Sequence, residues 1–156
     1  MRIRILCVGR LKDGPERELV DDYLARASKT GKPLGYRAVE EAELNASTKD
    51  DEGQRLLARH GQGGSKGVLI RLDERGEAWT SQDLSKRLAR WRDAGEEAVS
   101  FVIGGADGTS AAVAQAARHT ISFGVQTWPH RLVRVMLAEQ VYRALSIEAG
   151  SPYHRE

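Results

Sequence analysis

The 156-residue chain contains one cysteine, four prolines and an aromatic fraction of only 6%. A single cysteine excludes an internal disulfide. Cys7 lies between Leu6 and Val8, which marks it as a small buried hydrophobe in a reducing compartment rather than a nucleophile. No apolar run approaches the ~18–20 residues that span a bilayer. The apolar part of Met1–Gly9 is also too short for a signal peptide. A soluble, cytoplasmic protein is expected. Charge of one sign is missing as well: the formal net charge is +2 and the two signs are interspersed, so the basic block typical of strong nonspecific nucleic-acid binding is absent. His60 and His119 have no partner at metal-ligand spacing, and no metal is expected.

What remains is the composition of one folded domain over residues 1–156, with 40% hydrophobic and 29% charged residues. Arginine supplies eighteen of the 24 basic residues. Its planar fork suits phosphates and base planes, although GC-rich codon usage gives the same bias.

Strand and helix patterns alternate along the chain. Strands are expected at Arg2–Val8, Leu34–Val39, Gly67–Leu72, Ala98–Ile103 and Thr120–Phe123. Helices are expected at Glu16–Ala27, from the Thr48–Asp51 capping pattern to Arg59, after the Thr80–Asp83 capping box, at Ser110–Ala117 and at His130–Ala149. Ala42–Lys49 reads as a polar loop and Gly61–Gly67 as a glycine-rich one. This order implies an α/β fold with a mainly parallel sheet flanked by helices. Ligands in such sheets favour the carboxyl ends of the strands.

Three segments follow strands at those ends: Leu72–Gly76, Gly104–Gly108 and Phe123–His130. Glycines there allow close backbone approach to a ligand. Gly104-Gly105-Ala106-Asp107-Gly108 is neither a dinucleotide fingerprint nor a P-loop, and taken alone it is turn punctuation.

In context it is more informative. The Ile103-Gly104-Gly105 turn, the Thr127-Trp128-Pro129-His130 junction, the Glu139–Ala144 helix segment and the Tyr153-His154-Arg155 ending occur in fixed order, with Leu6–Lys12 and Leu72-Asp73 upstream. Together they resemble the bacterial large-subunit (23S) ribosomal RNA pseudouridine N3-methyltransferases of the SPOUT superfamily, over essentially the whole chain. The resemblance implies a deep C-terminal trefoil knot, which periodicity cannot reveal, and a homodimer acting on 23S rRNA within the ribosome. It further implies that S-adenosylmethionine is held by Leu72, Gly104, Phe123, Gly124, Val125, Gln126, Thr127 and Trp128. Trp128 departs from the smaller apolar residue expected there.

Methylation at N3 requires loss of an imide proton, so a base or an anion stabiliser must sit near the acceptor. His154 is the base candidate. Arg155 is a candidate for holding a phosphate or the anionic base edge, and Tyr153 for stacking on a nucleobase. His130 reads as a local structural donor. Arg134, Glu139 and Arg143 read as ion-pairing residues along the last helix. That helix carries more apolar residues than one buried stripe needs, which fits a two-fold dimer in which one subunit's tail completes the other's site. Two alternatives stay open: a SPOUT enzyme acting on transfer RNA or another RNA, and a non-catalytic nucleotide- or RNA-binding module.

Overall fold

The computed structural model describes residues 1–62 and 67–155. Most of the expected Gly61–Gly67 loop and the terminal Glu156 lie outside the described residues. The chain forms β1 (Arg2–Val8), α1 (Pro15–Gly31), β2 (Ala38–Leu44), α2 (Lys49–His60), β3 (Gly67–Glu77), α3 (Ser81–Asp93), β4 (Ala98–Ile103), α4 (Ala111–Ala116), β5 (His119–Ile121) and α5 (His130–Glu148). The five strands make one sheet in the order β2-β1-β4-β3-β5, and every pairing is parallel. This is the α/β architecture expected from the alternating pattern.

Strand alternation sends side chains to two cores. Ile3, Ile5 and Cys7 of β1, with Val99, Phe101 and Ile103 of β4, face Leu137, Val141 and Leu145 of α5. Helices α1 and α3 pack against α5 on this face. Leu6, Leu69 and Val102 point the other way, onto Leu56 of α2 and Val113 of α4. Helices therefore cover both faces, and the central strands are almost fully apolar, as buried parallel strands are.

The helix starts follow their capping chemistry. Thr80 and Asp83 form the complete box: the Thr80 amide donates to Asp83 Oδ2 at 2.9 Å and the Asp83 amide to Thr80 Oγ1 at 3.0 Å. At α2 only half of it forms. The Asp51 amide donates to Thr48 Oγ1 at 3.1 Å, while the Asp51 carboxylate accepts from the Ser47 amide.

The second strand differs most from expectation, beginning at Ala38 rather than Leu34. Helix α1 runs on to Gly31, and a 3-10 turn at Lys32–Leu34 ends at Gly35, whose φ of 93° suits glycine. The strand then continues through Glu40, Glu41 and Glu43 to Leu44, past the expected end at Val39 and into the Ala42–Lys49 segment that reads as loop, because the carboxylates mask the pattern. Arg17 and Arg134 make that strand possible by pairing with Glu41 at 2.6 and 3.1 Å. β3 is also longer than expected. It extends to Glu77 through an irregular stretch whose Gly76 lies against β5, where a Cβ would come within 2.6 Å of the Ile121 carbonyl carbon. β5 itself ends at Ile121, two residues short of the expected Phe123.

Candidate functional site

The strands end in a cleft of about 500 Å³ formed by three chain segments. Leu72–Arg75 of β3, Ile103–Gly108 after β4 and Ser122–Trp128 after β5 supply its walls, with His130 and Val133 of α5 at its base. Val125 is the one member of Ser122–Trp128 not in the wall: it is 93% exposed. The other seven residues expected to bind cofactor (Leu72, Gly104, Phe123, Gly124, Gln126, Thr127 and Trp128) are brought together in this one place.

The segments hold their shape through local bonds. In the second, the Gly108 amide donates to the Gly105 carbonyl at 2.9 Å, and Gly108 takes φ 79° to close the turn. Gly104 lies so close to the returning chain that a Cβ there would stand 2.7 Å from the Gly108 carbonyl carbon. No side chain fits at this position without moving backbone. In the third segment, Thr127 Oγ1 donates to Glu74 Oε2 at 3.0 Å, joining it to the first. The Trp128 indole donates to the Phe123 carbonyl at 3.4 Å and lines the cleft, so the bulky residue packs across its own loop.

Charge in the cleft is mixed. Arg75 donates to Asp73 from Nε at 3.0 Å and from its backbone amide at 2.9 Å, and this holds the Asp73 carboxyl below its usual range. Glu74 and Asp107 add carboxylates to the lining. Burial pushes the His130 pKa down, with the positive Arg134 adding to the effect, so the imidazole is neutral near pH 7. Its Nε2 is buried and has no hydrogen-bond partner among the described residues. Asp73, Glu74, Ile103, Ser122 and His130 were not among the expected cofactor residues. Asp73, Ile103 and Ser122 each adjoin an expected residue and Glu74 lies two positions from Leu72, so the neighbourhood is the available signal. The sequence marks His130 as a structural donor, and its place at the base of the cleft depends on how α5 packs.

The tail occupies a different place. None of Tyr153, His154 and Arg155 lines the cleft of its own chain. Tyr153 packs against Tyr142 with ring centroids 4.5 Å apart and planes tilted by 55°, below the Arg143 guanidinium. Burial and its bond to Glu139 raise the Tyr153 phenol pKa. The His154 ring sits between Gln82 Nε2 at 3.1 Å and Arg143 Nη1 at 3.3 Å, while Arg155 is exposed. Gln82 was not anticipated, because α3 meets the tail only through tertiary packing. The expected pairing along α5 holds for Arg143 and Glu139, which meet at 2.7 Å. Arg134 instead turns into the protein, reaching Glu41 and Glu43 of β2.

A second hollow of about 580 Å³ runs along α1 and α5, lined by Leu19, Tyr23, Trp79, Val135, Met136 and Glu139 among others. It shares Ser122, Phe123 and Gly124 with the cleft, and meets the tail at Glu139. Among the described residues no cluster of potential metal ligands occurs, and no helix is long and apolar enough to cross a membrane.

Comparison with known proteins agrees with this geometry. Residues 1–154 match the family described as "Predicted SPOUT methyltransferase". "Ribosomal RNA large subunit methyltransferase H" of Hyphomonas neptunium is 57% identical over 156 residues, with 99% of both chains covered. The protein of that name from Ruegeria pomeroyi is 47% identical over 155 residues, again covering 99% of both. Among solved structures, "a probable methylase family protein from Haemophilus influenzae Rd KW20" superimposes with a TM-score of 0.52 at 8% identity, covering 99% of this chain and 70% of that one, a likeness of fold alone.

Proposed function

Since the chain belongs to the SPOUT methyltransferases, we propose that it methylates N3 of a pseudouridine in large-subunit (23S) ribosomal RNA, in the cytoplasm, with S-adenosylmethionine as the methyl donor. The observation that carries this reading is the cleft at the carboxyl ends of the strands, with Gly104 in its wall. Its volume of about 500 Å³ suits a small cofactor. The bare Gly104 backbone, the loop amides and the Asp73 and Glu74 carboxylates supply the mixed acceptors and donors that a zwitterionic, cationic ligand requires. Leu72, Gly104, Phe123, Gly124, Gln126, Thr127 and Trp128 hold it, and Val125 contributes through its backbone.

S-adenosylmethionine supplies an electrophilic methyl group when bound. The protein's task is then alignment of the acceptor and removal of the N3 proton. His154 takes that proton, Arg155 holds the anionic base edge or a phosphate, and Tyr153 stacks on a base. These three lie outside the cleft of their own chain, so the reading includes a two-fold homodimer in which each tail serves the partner's cleft. Leu19 and Leu132, 44% and 39% exposed, are apolar side chains that such a dimer would have reason to cover. The C-terminal trefoil knot, and the chain's behaviour as one domain over residues 1–156, belong to the same reading.

Mass spectrometry of 23S rRNA from a deletion strain tests the substrate. Loss of N3-methylpseudouridine, restored by the cloned gene, is expected. Retention of that nucleoside with loss of a methyl group elsewhere would assign another RNA target. Calorimetry with S-adenosylmethionine tests the class, since absence of binding well above micromolar concentration would leave only a non-catalytic module.

A further inference from the structure

We infer that the Gly9–Lys12 loop is a docking site for the phosphate backbone of the substrate RNA, with Arg10 and Lys12 as its two cations, an assignment that rests on the RNA-methylating reading above. Position is the first argument. β1 and β4 are parallel neighbours, with Cys7 beside Ile103. The chain leaving β1 therefore emerges next to the Gly104 turn, which lines the cleft.

Rigidity is the second. The Gly9 amide donates to the Leu44 carbonyl at 2.9 Å, and the Gly9 carbonyl accepts from Arg134 Nη2 at 3.2 Å. The Leu11 amide donates to Glu43 Oε2 at 2.5 Å, and its side chain packs on the core. With Gly9 and Leu11 both tied down, Arg10 and Lys12 are presented on a fixed frame and both are exposed. A pre-organised cation loses less freedom on binding than one on a loose loop.

Charge is the third. Among the described residues neither Arg10 nor Lys12 is in an ion pair or side-chain hydrogen bond, whereas Arg17, Arg134 and Arg143 are all paired. The nearest acids are largely engaged: Glu41 and Glu43 by Arg17 and Arg134, and Glu16 by Arg131 at 3.8 Å. Asp13 is the one exposed carboxylate beside the pair. With a net charge of only +2, a local pair of free cations on the chain that leaves β1 beside the Gly104 turn is where phosphates would be engaged.

The test is steady-state methyl transfer to ribosomes purified from a strain lacking the enzyme, across a series of KCl concentrations. It compares wild type, Arg10→Ala, Lys12→Ala and Arg10→Glu/Lys12→Glu, with cofactor affinity measured by calorimetry. The double reversal is expected to raise KM by roughly tenfold or more, with kcat and cofactor affinity unchanged, and each alanine variant to flatten the logarithmic salt dependence by about one. A KM within about twofold of wild type overturns the proposal. A raised KM with an unchanged salt slope also overturns it and assigns the loop to a protein contact. Loss of cofactor binding in the alanine variants makes the loop structural. A wild-type chain that binds cofactor yet methylates no ribosome overturns the substrate reading beneath the proposal.

Discussion

The Tyr153 hydroxyl donates to Glu139 Oε1 at 3.0 Å, and Arg143 Nη2 reaches the same oxygen at 2.7 Å. One carboxylate thus moors the tail to α5 and fixes the guanidinium that contacts His154 Nδ1. Tyr153→Phe should cost no more than about 1 kcal/mol of stability. Deleting residues 153–156 should leave the Tm and cofactor affinity close to wild type while abolishing methyl transfer. Calorimetry and a methylation assay check this, and loss of cofactor binding would refute the division between cleft and tail.

Gly104→Ala is expected to weaken cofactor binding by about tenfold or more, since overpacking costs roughly 1–3 kcal/mol. The new Cβ would stand 2.7 Å from the Gly108 carbonyl carbon and 2.8 Å from its oxygen. Gly105→Ala is the control: its Cβ would come nearest the Glu52 carboxylate, at 3.2 Å, and that side chain can swing away. Equal affinity of the two variants for S-adenosylmethionine would show that the Gly104 turn does not shape the cleft.

Arg134 is 1% exposed and reaches Glu41, Glu43 and the Gly9 carbonyl. Arg134→Met leaves carboxylates without their buried partner and should cost about 3–5 kcal/mol. Adding Glu43→Gln to that variant should recover part of the loss, because it removes one uncompensated charge. Urea unfolding of the single and double variants measures the coupling, and strictly additive losses would show that the two residues act independently.

Burial lowers the pKa of His60, His119 and His130. Such a histidine binds fewer protons folded than unfolded. Its contribution is complete above the unfolded value near 6.5 and is lost as pH falls through that value, levelling off below the folded pKa. The urea midpoint should therefore drop on acidification from about pH 7.5 to about pH 5.5, and His130→Gln should make the drop shallower. A midpoint that rises over this range contradicts the assignment.

Much of this arrangement is legible in the sequence. β1 and β4 match their expected bounds because alternating or wholly apolar residues leave no other reading. The Thr80–Asp83 box marks α3 for the same reason, its chemistry being local. β2 is the counterexample: its half beyond Val39, with Glu40, Glu41 and Glu43, does not read as strand until arginines from β1, α1 and α5 are placed beside it. The cleft segments could be found because each begins where the apolar run of a strand ends, even though β3 itself continues to Glu77. The tail's position could not, since Gln82 and Glu139 reach it only through tertiary packing.

The sheet order also has a kinetic consequence. β1 pairs with β4, so Arg2 must wait for Ala98 to be synthesised, and the bond from Arg134 to Gly9 joins residues 125 positions apart. Contacts this distant close late and slow folding. The cleft needs segments that end at Trp128 and a base supplied by His130 and Val133. A growing chain therefore has no complete cleft until Val133 has been made, and any stabilisation by a ligand held there comes only after that point.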